Sequence, residues 1–166
     1  MVSRMKWRQL NQFRRLPNAE KRILLAAMLV LTSTVIGLRL FGYKRCYTGL
    51  YWWARQDQWP RIADDELRSI RRTLFLMRLV VRHSLYPGKC LSQSLTLWWL
   101  LKRQGIESDL RIGVRNVDGE FQAHAWVEYH EQPVNDADDV QSQFAAFDKA
   151  IRIDTTKFVE TEGGVH

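Results

Sequence analysis

Apolar and polar positions along the chain follow two different periods. Through residues 5–82 apolar side chains recur at helical spacing, with interruptions near Pro17, at 42–48 and at 56–63, where Trp59-Pro60 marks a stop. Arg68, Arg71, Arg72, Arg78 and Arg82 fall among Ile70, Leu74, Phe75, Leu79 and Val80, the pattern of a helix with one solvated face. Asp64, just ahead of Glu66, suits the start of that helix. From Cys90 to Arg103, leucines at 91, 95, 97, 100 and 101 with Trp98 and Trp99 predict another helix, and Gly105 supplies a left-handed stop. The period then changes to two. Leu110, Ile112 and Val114 alternate with polar residues, Asp118-Gly119 marks a hairpin turn, and 121–129 resumes extended character. A third strand is expected near Asp136, a loop with a short helical turn over 138–147, a returning strand over 150–155 and a frayed tail over 160–166. The sum is an α+β protein: a helical N-terminal region (1–84), then a core (85–159) in which one helix packs on a small antiparallel sheet.

Residues 23–38 contain sixteen positions without a charge, short of the ~20 needed to cross a bilayer. Thr32, Ser33 and Thr34 interrupt the run, and the basic flanks, Lys21 and Arg22 before it and Arg39, Lys44 and Arg45 after it, define no orientation. The run therefore reads as a helix, starting at Asn18 after Pro17, that is buried or covered by a partner. A spanning helix and membrane association are the less favoured readings.

Composition adds bounds. A hydrophobic fraction of 46% with 26% charged residues is that of an ordinary folded protein, and 166 residues suffice for one sizeable core. Charge is lopsided, since residues 1–90 carry 18 Lys+Arg against 5 Asp+Glu while 91–166 carry 7 against 13. A basic half can meet nucleic acid, an acidic surface or an acidic partner. The helical spacing of the arginines favours a solvated face, and Trp52, Trp53 and Trp59 lack the arrangement of an RNA-binding module, so no nucleic-acid partner is expected. The two cysteines, Cys46 and Cys90, lie far apart with no secretory signal, which points to a reducing cytoplasm. His83, His124, His130 and His166 form no metal-site spacing, and no phosphate-cradling glycine loop occurs, so neither metal nor cofactor is expected.

Cys90, His124 and Asp136 follow in that order and supply a nucleophile, a base and a carboxylate. Cys90 opens its helix, where free N–H groups and the positive end of the dipole favour a thiolate, the species that attacks a carbonyl. Gly88 lets the preceding chain approach closely. His124 lies mid-strand on the face it shares with Trp126 and Glu128. A thiol needs a base within reach and the base needs a third group to hold its tautomer, so the set is chemically coherent. Residue types alone equally allow a packed cysteine and a satisfied strand histidine.

The segments CLSQSLTLWWLLKRQGIESDLRIGVR, FQAHAWVEYH and PVND resemble the leader peptidase of lasso-peptide biosynthesis, a branch of the transglutaminase-like, papain-related cysteine enzymes. The likeness is close over about residues 85–136 and looser in the basic, leucine-rich N-terminal part. It implies a papain/transglutaminase-like core, with Cys90 as nucleophile, His124 as base and Asp136 as orienting carboxylate. Asp138 and Asp139 follow closely, and only Pro133-Val134-Asn135 ahead of it favours Asp136. Family members often turn with a glycine after the HAWVE block, where this chain has Tyr129-His130-Glu131-Gln132. The resemblance implies cleavage of a precursor peptide between leader and core, with a partner cyclase closing a macrolactam afterwards. Residues 1–85 lack the alternating strands of a leader-recognition domain, so that task is assigned to a separate protein. Two other classes stay open: an acyltransferase of the same fold, and a non-catalytic scaffold with a basic helical docking surface.

Overall fold

The structure is a computed structural model that describes residues 16–56, 58–84 and 88–146. The returning strand expected at 150–155 and the tail at 160–166 lie outside these residues. In order come helix α1 (Asn18–Gln56), α2 (Glu66–His83), α3 (Cys90–Arg103), strands β1 (Asp109–Val117), β2 (Glu120–Tyr129) and β3 (Gln132–Pro133), the short helix α4 (Val140–Gln143) and β4 (Ala145–Ala146).

The break expected at 42–48 is one residue, Gly42, whose φ of 75° and ψ of 177° interrupt α1. The helix folds back there. A straight helix would hold residues 37 and 46 about 13 Å apart along its axis, yet a β-carbon at Gly37 would lie 3.2 Å from the Cys46 sulfur. The result is a helical hairpin with limbs 18–41 and 43–56. By length and composition α1 is long and apolar enough to cross a membrane, and one third of its most apolar window is buried.

Helix α3 is the centre of the molecule. Its Trp98 stacks on Tyr47 at 5.0 Å, and its Trp99 meets Trp53 at 4.5 Å and Trp59 edge-on at 5.6 Å. On α2, Thr73 accepts a hydrogen bond from Gln104 at 3.0 Å, and Arg72 clamps Glu20 of α1 through two bonds of 2.7 and 2.8 Å. One buried cluster therefore holds Leu31 of α1, Leu76 of α2, Leu100 of α3 and Val127 of β2 together. The N-cap of α2 is Asp65, whose carboxylate accepts from the Arg68 N–H at 3.0 Å, one residue later than the Asp64 expected. Bounds of Cys90–Arg103 and a left-handed Gly105 (φ 67°) agree with expectation for α3.

The sheet has the order β3-β2-β1-β4. β1 and β2 pair antiparallel, Gly113 opposite His124, around a tight turn at Asp118-Gly119 with both residues at positive φ. The second turn keeps the same two-residue form without glycine: His130 (φ 48°) and Glu131 (φ 63°) are both left-handed, and Tyr129 pairs with Gln132 across them. The third strand ends at Pro133: the Val134 N–H still donates to the Val127 carbonyl at 2.9 Å, but the Val127 N–H is taken by the Asn135 side chain, so Asp136 stands on the loop after the strand rather than on it. A fourth strand not foreseen, Ala145–Ala146, pairs with Gly113 and Val114.

Candidate active site

Cys90 is the first residue of α3 and is partly exposed. Its N-cap, Lys89, makes no side-chain capping bond, in contrast to Asp65 on α2, so no cap side chain competes for the first N–H groups of this helix. The loop entering it is held tightly. Gly88 has φ 71°, a β-carbon there would collide with the Ser92 hydroxyl at 2.2 Å, and the Gly88 carbonyl accepts from Gln93 Nε2 at 3.3 Å. Gln93 thus pins the turn that presents Cys90.

His124 and Asp136 meet: His124 Nε2 is hydrogen-bonded to Asp136 Oδ2, with both side chains 26% exposed. Asp136 also accepts from the Ala137 N–H at 2.9 Å. Asp139 is engaged elsewhere, accepting from Gln143 at 2.8 Å, so of the three neighbouring carboxylates Asp136 is the one bonded to the imidazole. The bond at Nε2 leaves Nδ1 as the ring nitrogen for other chemistry.

Two residues not singled out from sequence tie helix to strand and loop. Ser94, one turn after Cys90, donates to the Ala125 carbonyl at 2.8 Å, next to His124. Asn135, next to Asp136, donates to Ser94 Oγ at 3.1 Å and accepts from the Val127 N–H at 2.7 Å. The elements carrying Cys90, His124 and Asp136 are thereby bound into one unit. Their signal in the sequence was slight, a serine in an apolar helix and an asparagine before the aspartate.

An aromatic wall backs the imidazole, with Trp126 at 6.2 Å and Phe144 at 5.1 Å between ring centroids. Gly113 makes room for it: a β-carbon there would lie 2.9 Å from both Phe144 and Trp126. A lone glycine inside a strand pattern is a visible sign of such close approach. Below, Glu128 is buried. Burial pushes its carboxyl upward, but bonds donated by Gln141, Trp126 Nε1 and Arg111, each 2.8 Å, outweigh that and leave it below its ordinary value. The other thiol, Cys46, is pushed up by burial. Among the described residues no group of three or more His, Cys, Asp or Glu is placed to hold a metal ion.

A cysteine opening a helix that Ser94 ties to a strand whose histidine is bonded to a carboxylate, on an α+β core, is a layout compatible with a papain- or transglutaminase-like domain. Residues 28–148 match the family model described as the transglutaminase-like superfamily, and the chain belongs to that superfamily. It is similar to the microcin J25-processing protein McjB of Escherichia coli, 28% identical over 81 residues. That similarity takes in 49% of this chain, and the chain spans about 38% of the relative's length. No solved structure matches the chain.

Proposed function

We propose that the chain is a cytoplasmic cysteine peptidase that removes the leader from a ribosomally made lasso-peptide precursor, acting with a separate leader-recognition protein and a macrolactam-forming cyclase. The observation that carries this reading is the His124–Asp136 pair, whose histidine stands on the strand tied by Ser94 to the helix that Cys90 opens. Similarity to a protein named for microcin J25 processing supports the substrate class.

In this mechanism Asp136 accepts from the His124 Nε2–H, which leaves the lone pair on Nδ1 to take the Cys90 thiol proton. The thiolate attacks the carbonyl carbon at the leader–core junction, and the oxyanion is met by the uncapped N–H at the start of α3. Collapse breaks the C–N bond as the imidazolium protonates the core's departing amine. The leader remains as a thioester on Cys90. Water, deprotonated by the same imidazole, then releases the leader as a free acid and restores the thiol. Partial exposure of His124 and Asp136 leaves the site open to a peptide.

The test is intact mass spectrometry of a precursor peptide encoded beside this protein, incubated with the chain and its leader-binding partner, for wild type and Cys90→Ala. Leader and core masses summing to the precursor plus one water, from wild type alone, are the expected result. Leader joined to another amine identifies an acyltransferase. An unaltered precursor together with a Cys90 inert to iodoacetamide at neutral pH overturns the enzyme reading.

A further inference from the structure

The first limb of α1 is apolar on both sides, and only one side is used by the fold. Ile23, Ala27, Val30, Leu31 and Thr34 face inward with at most 1% exposure. On the opposite side Leu25, Met28, Leu29, Ile36 and Leu40 are 54%, 56%, 68%, 51% and 69% exposed. At 3.6 residues per turn these five occupy one arc of about 120°. Thr32 shares the arc, and its hydroxyl is turned back onto the Met28 carbonyl at 2.8 Å, so it asks little of a partner. A helix apolar all round normally has an apolar neighbour on every side. Here half of it has none among the described residues.

Charge indicates what covers it. Residues 21–56 contain six Lys/Arg and no Asp or Glu. Lys21 and Arg22 stand at one end of the exposed stripe and Arg39, Lys44 and Arg45 at the other, with Lys21 and Arg39 about 27 Å apart along the helix. A long apolar face with cations at both ends fits a flat layer whose interior is apolar and whose surface is anionic. The same helix cannot cross that layer, because its inner face is part of the protein core and Glu20 at its start is clamped by Arg72.

We propose that the outer face of limb 18–41 lies in the interfacial plane of an anionic lipid bilayer, with Leu25, Leu29, Ile36 and Leu40 at the acyl boundary and the basic ends among the headgroups. The docked limb borders the nucleophile loop, since Val35 Cγ2 lies 3.1 Å from where a Gly88 β-carbon would stand. Docking therefore sets the mouth of the site close to the membrane surface, and it does not depend on the peptidase reading.

The experiment is flotation of the full chain with extruded vesicles of phosphatidylglycerol and phosphatidylcholine (3:7), against phosphatidylcholine alone, at 0.1 M and 0.5 M NaCl. Wild type is expected to float with the anionic vesicles, at least ten-fold less with neutral ones, and several-fold less in high salt. Leu29→Glu/Ile36→Glu is expected to lose flotation at least ten-fold with an unchanged circular dichroism melt, while Phe121→Glu, at an 80% exposed position on the sheet, floats as wild type. Should the first variant unfold, Arg39→Glu/Arg45→Glu, which keeps the apolar face, reads the same surface by losing the anionic preference. The proposal falls if wild type stays in solution, if its binding resists both salt and alkaline carbonate as a spanning helix would, or if the face instead mediates a dimer that Leu29→Glu/Ile36→Glu dissolves.

Discussion

At the residue scale, the carboxylate bonded to the imidazole separates three neighbouring aspartates that sequence could not rank securely. Asp136 bonds His124 Nε2, Asp139 is bonded to Gln143, and the difference comes from the loop direction after Pro133. Asp136→Asn is expected to lower precursor cleavage by about 10² to 10⁴-fold, because an amide can present the wrong group to the ring and invert its tautomer. Asp138→Asn and Asp139→Asn should stay within a few-fold of wild type. Initial rates from the mass-spectrometric assay check all three, and equal losses at Asp136 and Asp138 would contradict the assignment. Gly88 and Gly113 were both legible as glycines, but only the fold shows that one yields to Ser92 and the other to Trp126 and Phe144.

At the element scale, the two hairpin turns show how much local chemistry can be overridden. Asp118-Gly119 is the residue pair that a left-handed two-residue turn favours, while His130-Glu131 adopts the same turn against its own preference. The ladder from Glu128 to Pro133 and the Gln141 bond to the Glu131 carbonyl hold it there. Replacing His130-Glu131 with Asn-Gly is expected to stabilise the protein by about 1 kcal/mol or more, seen as a higher midpoint in urea, since the left-handed backbone then costs less. Glu128 joins β1, β2 and α4 through Arg111, Trp126 and Gln141. Its folded value lies below the ordinary 4.5, so its contribution is fully present above that pH and is lost as pH falls through the depressed folded value. Glu128→Gln should therefore be less stable at pH 7, and its urea midpoint should fall less than wild type's between pH 5 and pH 3. Parallel curves for the two proteins would show that Glu128 does not carry the acid sensitivity.

At the scale of the whole molecule, the helical hairpin, α2, α3 and β2 share one buried cluster, with Trp98 and Trp99 covered by residues from α1. The helical part (16–84) and the part that follows it (88–146), distinct in sequence character, are expected to unfold as one unit, with coincident thermal transitions by near- and far-ultraviolet circular dichroism. Two separated transitions would mean that the hairpin folds on its own. The sequence by itself determined α3 from Cys90 to Arg103, the first hairpin with its turn, and the residue types for thiol chemistry, because periods of 3.6 and 2 and turn preferences act over a few neighbouring residues. Only the tertiary structure decided that α1 folds back at Gly42, that Asn135 and Ser94 bridge helix, strand and loop, that β4 closes the sheet edge, and that Asp136 faces His124. Those depend on partners up to 41 residues apart, and no local pattern encodes which distant polar group will be the one left to satisfy.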